Sequence, residues 1–254
     1  MSSTFTPHPG AAPLHRQVIA QAAMESRLML RNGEQLLLAV VIPVIVLVGG
    51  VRGVTHLDIE LSRRPIDAFA PGVLALAVMS TAFTSLAIAT GFERRYGVIK
   101  RLGSSPLPRS GLLLGKIGAL LLVEALQIAV ISAVALAMGW EPHTSLGAAL
   151  LMIVLGTAAF ASLGLFVAGV LRAEATLAAA NLVYLLLMAG GAVVLPSSAY
   201  GAFGEVARLL PSGALGDGLR EAFWNGAYDW TSLLVLVVWT GVGTVLTART
   251  FTWV

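Results

Sequence analysis

Charge is nearly absent from six long stretches of this chain, and that depletion limits the folds open to it. Gln35 to Val51 holds 17 residues without a charge, and Ala68 to Phe92 holds 25. A third stretch, from about Ile117 to Met138, is interrupted only by Glu124; a fourth runs from Thr144 to Leu171. The fifth begins at Ala175 and ends near Pro196, and the sixth is Trp230 to Ala248. About 20 apolar residues cross a bilayer core as a helix, and a helix satisfies its own backbone hydrogen bonds where lipid cannot. None of the stretches alternates with the period-two pattern of a barrel strand. The reading is an all-α membrane protein with six transmembrane helices. The first stretch covers only about 26 Å at 1.5 Å per residue, so it is short or continues into its flanks. Pro43 lies inside it and is expected to kink it.

Composition agrees. Of 254 residues, 57% are hydrophobic and 11% charged, where a soluble domain carries about 25% charged residues. With no cysteine, a disulfide framework, Cys-ligated zinc, an iron–sulfur cluster and a Cys nucleophile are excluded. The opening residues, rich in Pro, Gly and Ser, lack the apolar core of a secretory signal and read as a disordered tail over residues 1–13. Residues 14–254 read as one transmembrane domain.

Orientation follows from lysine and arginine. Of the 16, 11 fall on the N-terminal tail, the 93–116 loop, the 172–174 turn and the C-terminus, and 5 (Arg52, Arg63, Arg64, Arg208 and Arg220) on the opposite side. The first side is read as cytoplasmic, with both termini there and the chain multi-pass in the cytoplasmic (inner) membrane. The excess of positive charge is then a matter of topology, and no basic patch interleaved with aromatics points to nucleic acid.

Three segments outside the spans carry further information. From Leu14 to Glu34, Leu14, Val18, Ala22 and Met29 recur at helical spacing while Arg16, Arg27 and Arg31 share another face. This predicts an amphipathic helix at the cytoplasmic interface, which either only anchors the first span or also touches a cytoplasmic partner. In Glu93 to Lys116, Val98, Ile99 and Leu102 form a small apolar ridge among Arg94, Arg95, Lys100 and Arg101, Gly103 and Pro106 stop the helix, and Ser110 is placed to cap the third span. Between Pro196 and Gly226, two short amphipathic stretches, Ala199–Leu210 and Ala214–Trp224, are broken by Pro211-Ser212-Gly213. They read as an extracytoplasmic, re-entrant helical hairpin before the last span, or as an interfacial helix with Trp224 and Trp230 at headgroup level.

The residues Glu93, Arg94, Gly97, Arg101, Leu102, Ser105, Pro106 and Leu107, followed by Gly115-Lys116 at the start of the next span, resemble the cytoplasmic coupling segment (93–109) of type-2 ABC exporter permeases. Leu210, Pro211, Asp217, Leu219 and Arg220 resemble that family's extracellular hairpin. The resemblance implies a transport subunit that is not itself an enzyme, exporting hydrophobic or amphipathic molecules such as a drug, antibiotic or lipid. It implies a separate cytoplasmic ABC ATPase that binds ATP and Mg, and a second permease subunit, identical or related. Glu93, Arg94, Gly97, Arg101, Leu102 and Pro106 would then couple to the ATPase. The sequence agrees that the chain holds no nucleotide: the nearest approach to a P-loop, Gly111 to Ile117, is one residue short, lacks the Ser or Thr hydroxyl and enters a membrane span.

Two other classes of protein fit six spans. A membrane-embedded enzyme needs paired catalytic groups inside the bilayer, but His8, His15, His56 and His143 all lie in tails or loops. An ion-coupled secondary transporter would have Glu124 as its proton site, the single ionisable residue well inside a span. For Glu124, with Gln127 three residues on, three readings stand: a lining residue of the translocation path, a protonated acid hydrogen-bonded to a neighbouring helix, or a side chain reaching for the interface. Asn181 joins Glu124 and Gln127 as a candidate path residue, beside the weakly polar Thr81, Thr84, Ser85, Ser132 and Ser162. The orientation is open to test, because a chain without cysteine accepts a single reporter thiol. Cysteine placed at Ser2 is expected to resist an impermeant maleimide in intact cells and to label after the membrane is opened; labelling from outside would reverse the topology.

Overall fold

The computed structural model describes residues 12–31, 33–56, 63–103, 108–143 and 145–250, and these are helical with no strand among them. Helix α1 (Leu14–Arg31) leads into α2 (Gly33–His56), the first of six helices long and apolar enough to cross a membrane. The second span, Pro65–Arg95, is built from α3 (Pro65–Met79), a π-helical turn (Ser80–Ser85) and α4 (Leu86–Arg95). Short α5 (Val98–Gly103) follows, then α6 (Arg109–Ala137), α7 (Leu146–Val170) and α8 (Ala173–Gly190). A 3-10 turn (Ser197–Phe203), α9 (Gly204–Ala207) and α10 (Pro211–Trp224) precede the last span, α11 (Trp230–Thr250).

Several boundaries differ from the sequence reading for identifiable reasons. The first span is longer than its uncharged core, and α2 runs on through Pro43. The third begins at Arg109, with extended Pro108 (ψ 155°) as its N-cap and no side-chain cap, so Ser110 is an interior residue and not the expected cap. The fifth ends at Gly190 rather than near Pro196, because Gly191 and Ala192 leave the helix, Ala192 with φ 53°. Pro211-Ser212-Gly213 does not break a helix but starts one: Pro211 occupies the first turn of α10, where its missing N–H costs nothing.

The second span is the axis of the bundle. Of its most apolar window 72% is buried, against 17–39% for the other five. Ala70 and Val73 to Met79 are almost fully enclosed, which explains why an uninterrupted apolar run here is not lipid-facing. Six crossings place α1, the α4–α5 turn and the end of α11 at one end of the bundle, the basic end. The 190–226 segment lies at the other.

At that other end the chain leaves regular helix between Gly190 and Ser197, and Arg220 collects the carbonyls this exposes. It is 1% accessible. Its Nη2 donates to Val194 O (2.6 Å) and Val193 O (2.9 Å), Nη1 to Ala192 O (3.4 Å) and Asp217 Oδ1 (3.1 Å), and Nε to Ala68 O (3.3 Å). Burial pulls its pKa down to about 10 while Asp217 pulls it up, so it stays charged at neutral pH. Gly72 and Gly216 make the room: a Cβ on Gly216 would fall 2.9 Å from the Ala192 and Val193 oxygens, and one on Gly72 2.6 Å from Val193 O. Asp217 also accepts from the Ser197 amide at 3.2 Å, Ser212 donates to Gly191 O at 2.8 Å, and Trp224 Nε1 donates to Asp67 O at 2.8 Å. Arg220→Leu is expected to lower the unfolding free energy by about 3–5 kcal/mol, the cost of breaking a buried charged pair. Thermal unfolding in detergent reads this out, with exposed Arg208→Leu as the variant that leaves the midpoint unchanged.

Candidate functional site

The π-helical turn is where the second span stops being plain scaffold. It carries Ser80, Thr81, Thr84 and Ser85, and wide turns of this kind inside helices gather at functional sites. It is packed closely: Gly164 of α7 lies against it so that a Cβ there would stand 2.9 Å from Phe83 O. Phe83 meets Phe160 edge to face, ring centroids 6.5 Å apart. Nothing in the residue pattern of this stretch marks a turn.

On its other side the turn walls a cavity of about 690 Å3 between α2, the second span and α8. Ile42, Ile88, Phe92 and Leu177 give it an apolar body; Ser80, Thr84, Ser85, Asn181 and Tyr184 supply polar groups, and Glu93 stands at the basic end. Two buried oxygens of this lining, Thr84 Oγ1 and Glu93 Oε2, have no hydrogen-bond partner. A mostly apolar hollow with a few placed polar groups is the usual form of a small-molecule site, and unpartnered oxygens leave it acceptors to offer.

Of the three candidate path residues, Asn181 lines this cavity. Gln127 is fully buried between helices, accepting from Thr81 Oγ1 (2.6 Å) and donating to Ala39 O (2.8 Å), which ties α6 to the π turn and to α2. Glu124, 1% accessible, faces α7 instead, so the two do not share one patch. Thr157 Oγ1 lies 3.0 and 2.9 Å from the two carboxyl oxygens and 2.7 Å from Ile153 O. A hydroxyl has one proton to give, and here it is shared among the carboxyl oxygens of Glu124 and the backbone of α7.

The residues expected to couple are divided. Glu93 Oε1 accepts from Lys116 Nζ at 2.6 Å, and Glu25 of α1 lies 3.4 Å from the same ammonium. Arg94 turns inward to donate to the carbonyls of Ala168 and Gly169 (2.9 Å for the latter), covering the C-terminal end of α7. Arg95 pairs with Glu174 at the start of α8. Gly97 makes the turn into α5 with φ +66°, a conformation glycine adopts without strain. Lys100 and Arg101 are exposed. Ser105, Pro106 and Leu107 lie outside the described residues, as do the side chains of Ile99 and Leu102. Asp217 and Arg220 belong to the hydrogen-bond network at the opposite end, and Pro211 is buried at the start of the helix that carries them. No cluster of three or more potential metal ligands occurs among the described residues.

A family model described as ABC-2 family transporter protein matches residues 53–249. The chain belongs to the ABC-2 transporter family. The match runs from the end of α2 through α11 and so takes in the π turn, the α4–α5 turn and the Arg220 network of this ABC-2 permease. A search of curated proteins gave no match. The Glu124 contact yields a prediction: Glu124→Gln, neutral and still a donor, is expected to keep both stability and transport, whereas Thr157→Val costs about 1–2 kcal/mol by leaving the carboxyl group unpaired. Selective loss of cationic substrates in Glu124→Gln would instead make the charge part of the path.

Proposed function

We propose that this ABC-2 permease is the membrane subunit of an ATP-driven exporter of hydrophobic or amphipathic molecules, a drug, antibiotic or lipid, in the cytoplasmic membrane. The observation that carries the reading is the mixed cavity beside the π turn, apolar in body and polar at Thr84, Asn181 and Glu93. It suits a ligand with a hydrocarbon or aromatic bulk and one hydrogen-bonding or cationic group. In this reading residues 14–254 act as one permease domain with both termini cytoplasmic and the 196–226 hairpin outside. A second permease subunit completes the pathway, and a separate ABC ATPase supplies energy with its own ATP and Mg.

The ATPase would meet the basic end. Arg94 and Glu93 brace the helices behind that surface, and exposed Arg101 on α5, next to Lys100, presents charge to the partner. Gly97 sets the angle of α5, and Leu102 and Pro106 complete the segment.

Two experiments separate this from ion-coupled transport. In proteoliposomes holding permease and ATPase, uptake of an amphipathic dye into inside-out vesicles is expected to require ATP and to survive collapse of the proton gradient. Uptake driven by the gradient without ATP would overturn the proposal. Arg101→Glu is expected to reduce ATPase co-purification and ATP-driven uptake several-fold with the permease still inserted; unchanged complex and uptake would remove α5 from the interface.

A further inference from the structure

Helix α1 lies outside the region the family match covers, and its seat on α6 is unusually close. Gly115 and Gly118 of α6 present no side chain to it: a Cβ on Gly115 would fall 2.8 Å from Gln21 Cβ, and one on Gly118 3.2 Å from Ala22 Cβ. The contact is pinned on one flank by Lys116 and Glu25, with Gln21 Nε2 donating to Glu25 Oε1 at 2.9 Å.

The other flank is left open. There α1 and α6 enclose a groove of about 480 Å3 whose walls are Ile19, Ala22, Ala23, Leu30, Gly118 and Leu122, with Ser26 its one small polar group. Ser26 gives its proton to Ala22 O at 2.7 Å, so the groove has almost nothing to offer a polar ligand along its length. Its mouth is different. Arg27 and Arg31, one helical turn apart, both border it, both are exposed, and neither has a carboxylate partner among the described residues. A smaller recess of about 220 Å3, lined by Ala20, Met24 and Leu28, borders the same two arginines. Ile19 (65%) and Leu28 (60%) stand exposed beside them.

We propose that this groove is a binding site for an anionic phospholipid, with its phosphate on Arg27 and Arg31 and an acyl chain lying along α6 over Gly118 and Leu122. Two observations choose this occupant. The charges at the mouth are of one sign, with no carboxylate partner among the described residues, which complements a net-negative head and disfavours a zwitterion whose ammonium would meet the arginines. The groove floor is part of a membrane-crossing helix, with Ile117, Leu121 and Leu122 exposed around it, so a chain entering here remains in hydrocarbon. The proposal depends on the chain being a membrane protein and not on what it transports.

The test uses the purified full chain in detergent, titrated with phosphatidylglycerol, phosphatidylcholine or inorganic phosphate, with retained lipid counted by native mass spectrometry and stability followed by thermal unfolding. Phosphatidylglycerol is expected to be retained and to raise the unfolding midpoint well above the other two. Replacing both arginines, Arg27→Gln with Arg31→Gln, is expected to weaken retention about 30-fold, taking each arginine at its usual surface contribution. Arg16→Gln serves as control: Arg16 sits 11 residues before Arg27 and so on the same face, about 16 Å away along the axis, and a local site leaves its removal without effect. Ala23→Phe fills the groove without touching a charge and is expected to weaken phosphatidylglycerol retention as well. Equal retention of phosphatidylcholine, equal protection by inorganic phosphate, or an Arg16→Gln loss matching the double variant would each overturn the site.

Discussion

A carbonyl oxygen that leaves a helix inside an apolar environment has to find a donor, and at one end of this protein a single side chain supplies most of them. Arg220 binds the three successive carbonyls that follow α8 and a fourth from α3, with Asp217 balancing its charge. A lysine would bring one ammonium to a place that needs a planar fork reaching three directions. The glycines at 72 and 216 are there because the guanidinium is. Without that centre the segment after Gly190 would lose its fixed path, and α10 would be held only by its packing against α3, α7 and α11.

At the basic end the fixing device is ionic. Lys116 stands between carboxylates from α1 and α4, joining three elements far apart in sequence. Arg94 joins a fourth by covering carbonyls at the end of α7. These groups cross-link the membrane helices to one another directly beneath the short α5. Under the proposed coupling, a push on α5 would be received by a braced frame rather than by a loose loop.

The six spans were legible because lipid tolerates so little charge that the boundaries are written in Glu, Asp, Lys and Arg. What the charges do once placed was less legible. Arg220 reads as one of five basic residues in an outer loop, yet it is 1% accessible and wholly engaged. Arg94 reads as a docking residue and faces inward. In both cases the partner is a backbone carbonyl distant in sequence, and carbonyls leave no mark on the residue pattern. Glu124 was visible as an anomaly, and its partner, Thr157, looked like any other small polar residue in a span. The π turn was hidden for a related reason: no local helix breaker marks it, and the close approach of Gly164 to Phe83 comes from a helix distant in sequence.

That turn has a consequence for how the second span can move. It holds one residue more than the helix on either side has room for, much as a dislocation holds one extra row in a crystal. A dislocation glides by exchanging neighbours one at a time, and the column on either side of it stays intact. Each residue it passes is carried about 100° around the axis. With Thr84 and Ser85 on the cavity wall, a glide of a single step would swing a hydroxyl out of the hollow and an apolar neighbour into it, with no bend in the span and no net loss of backbone bonds.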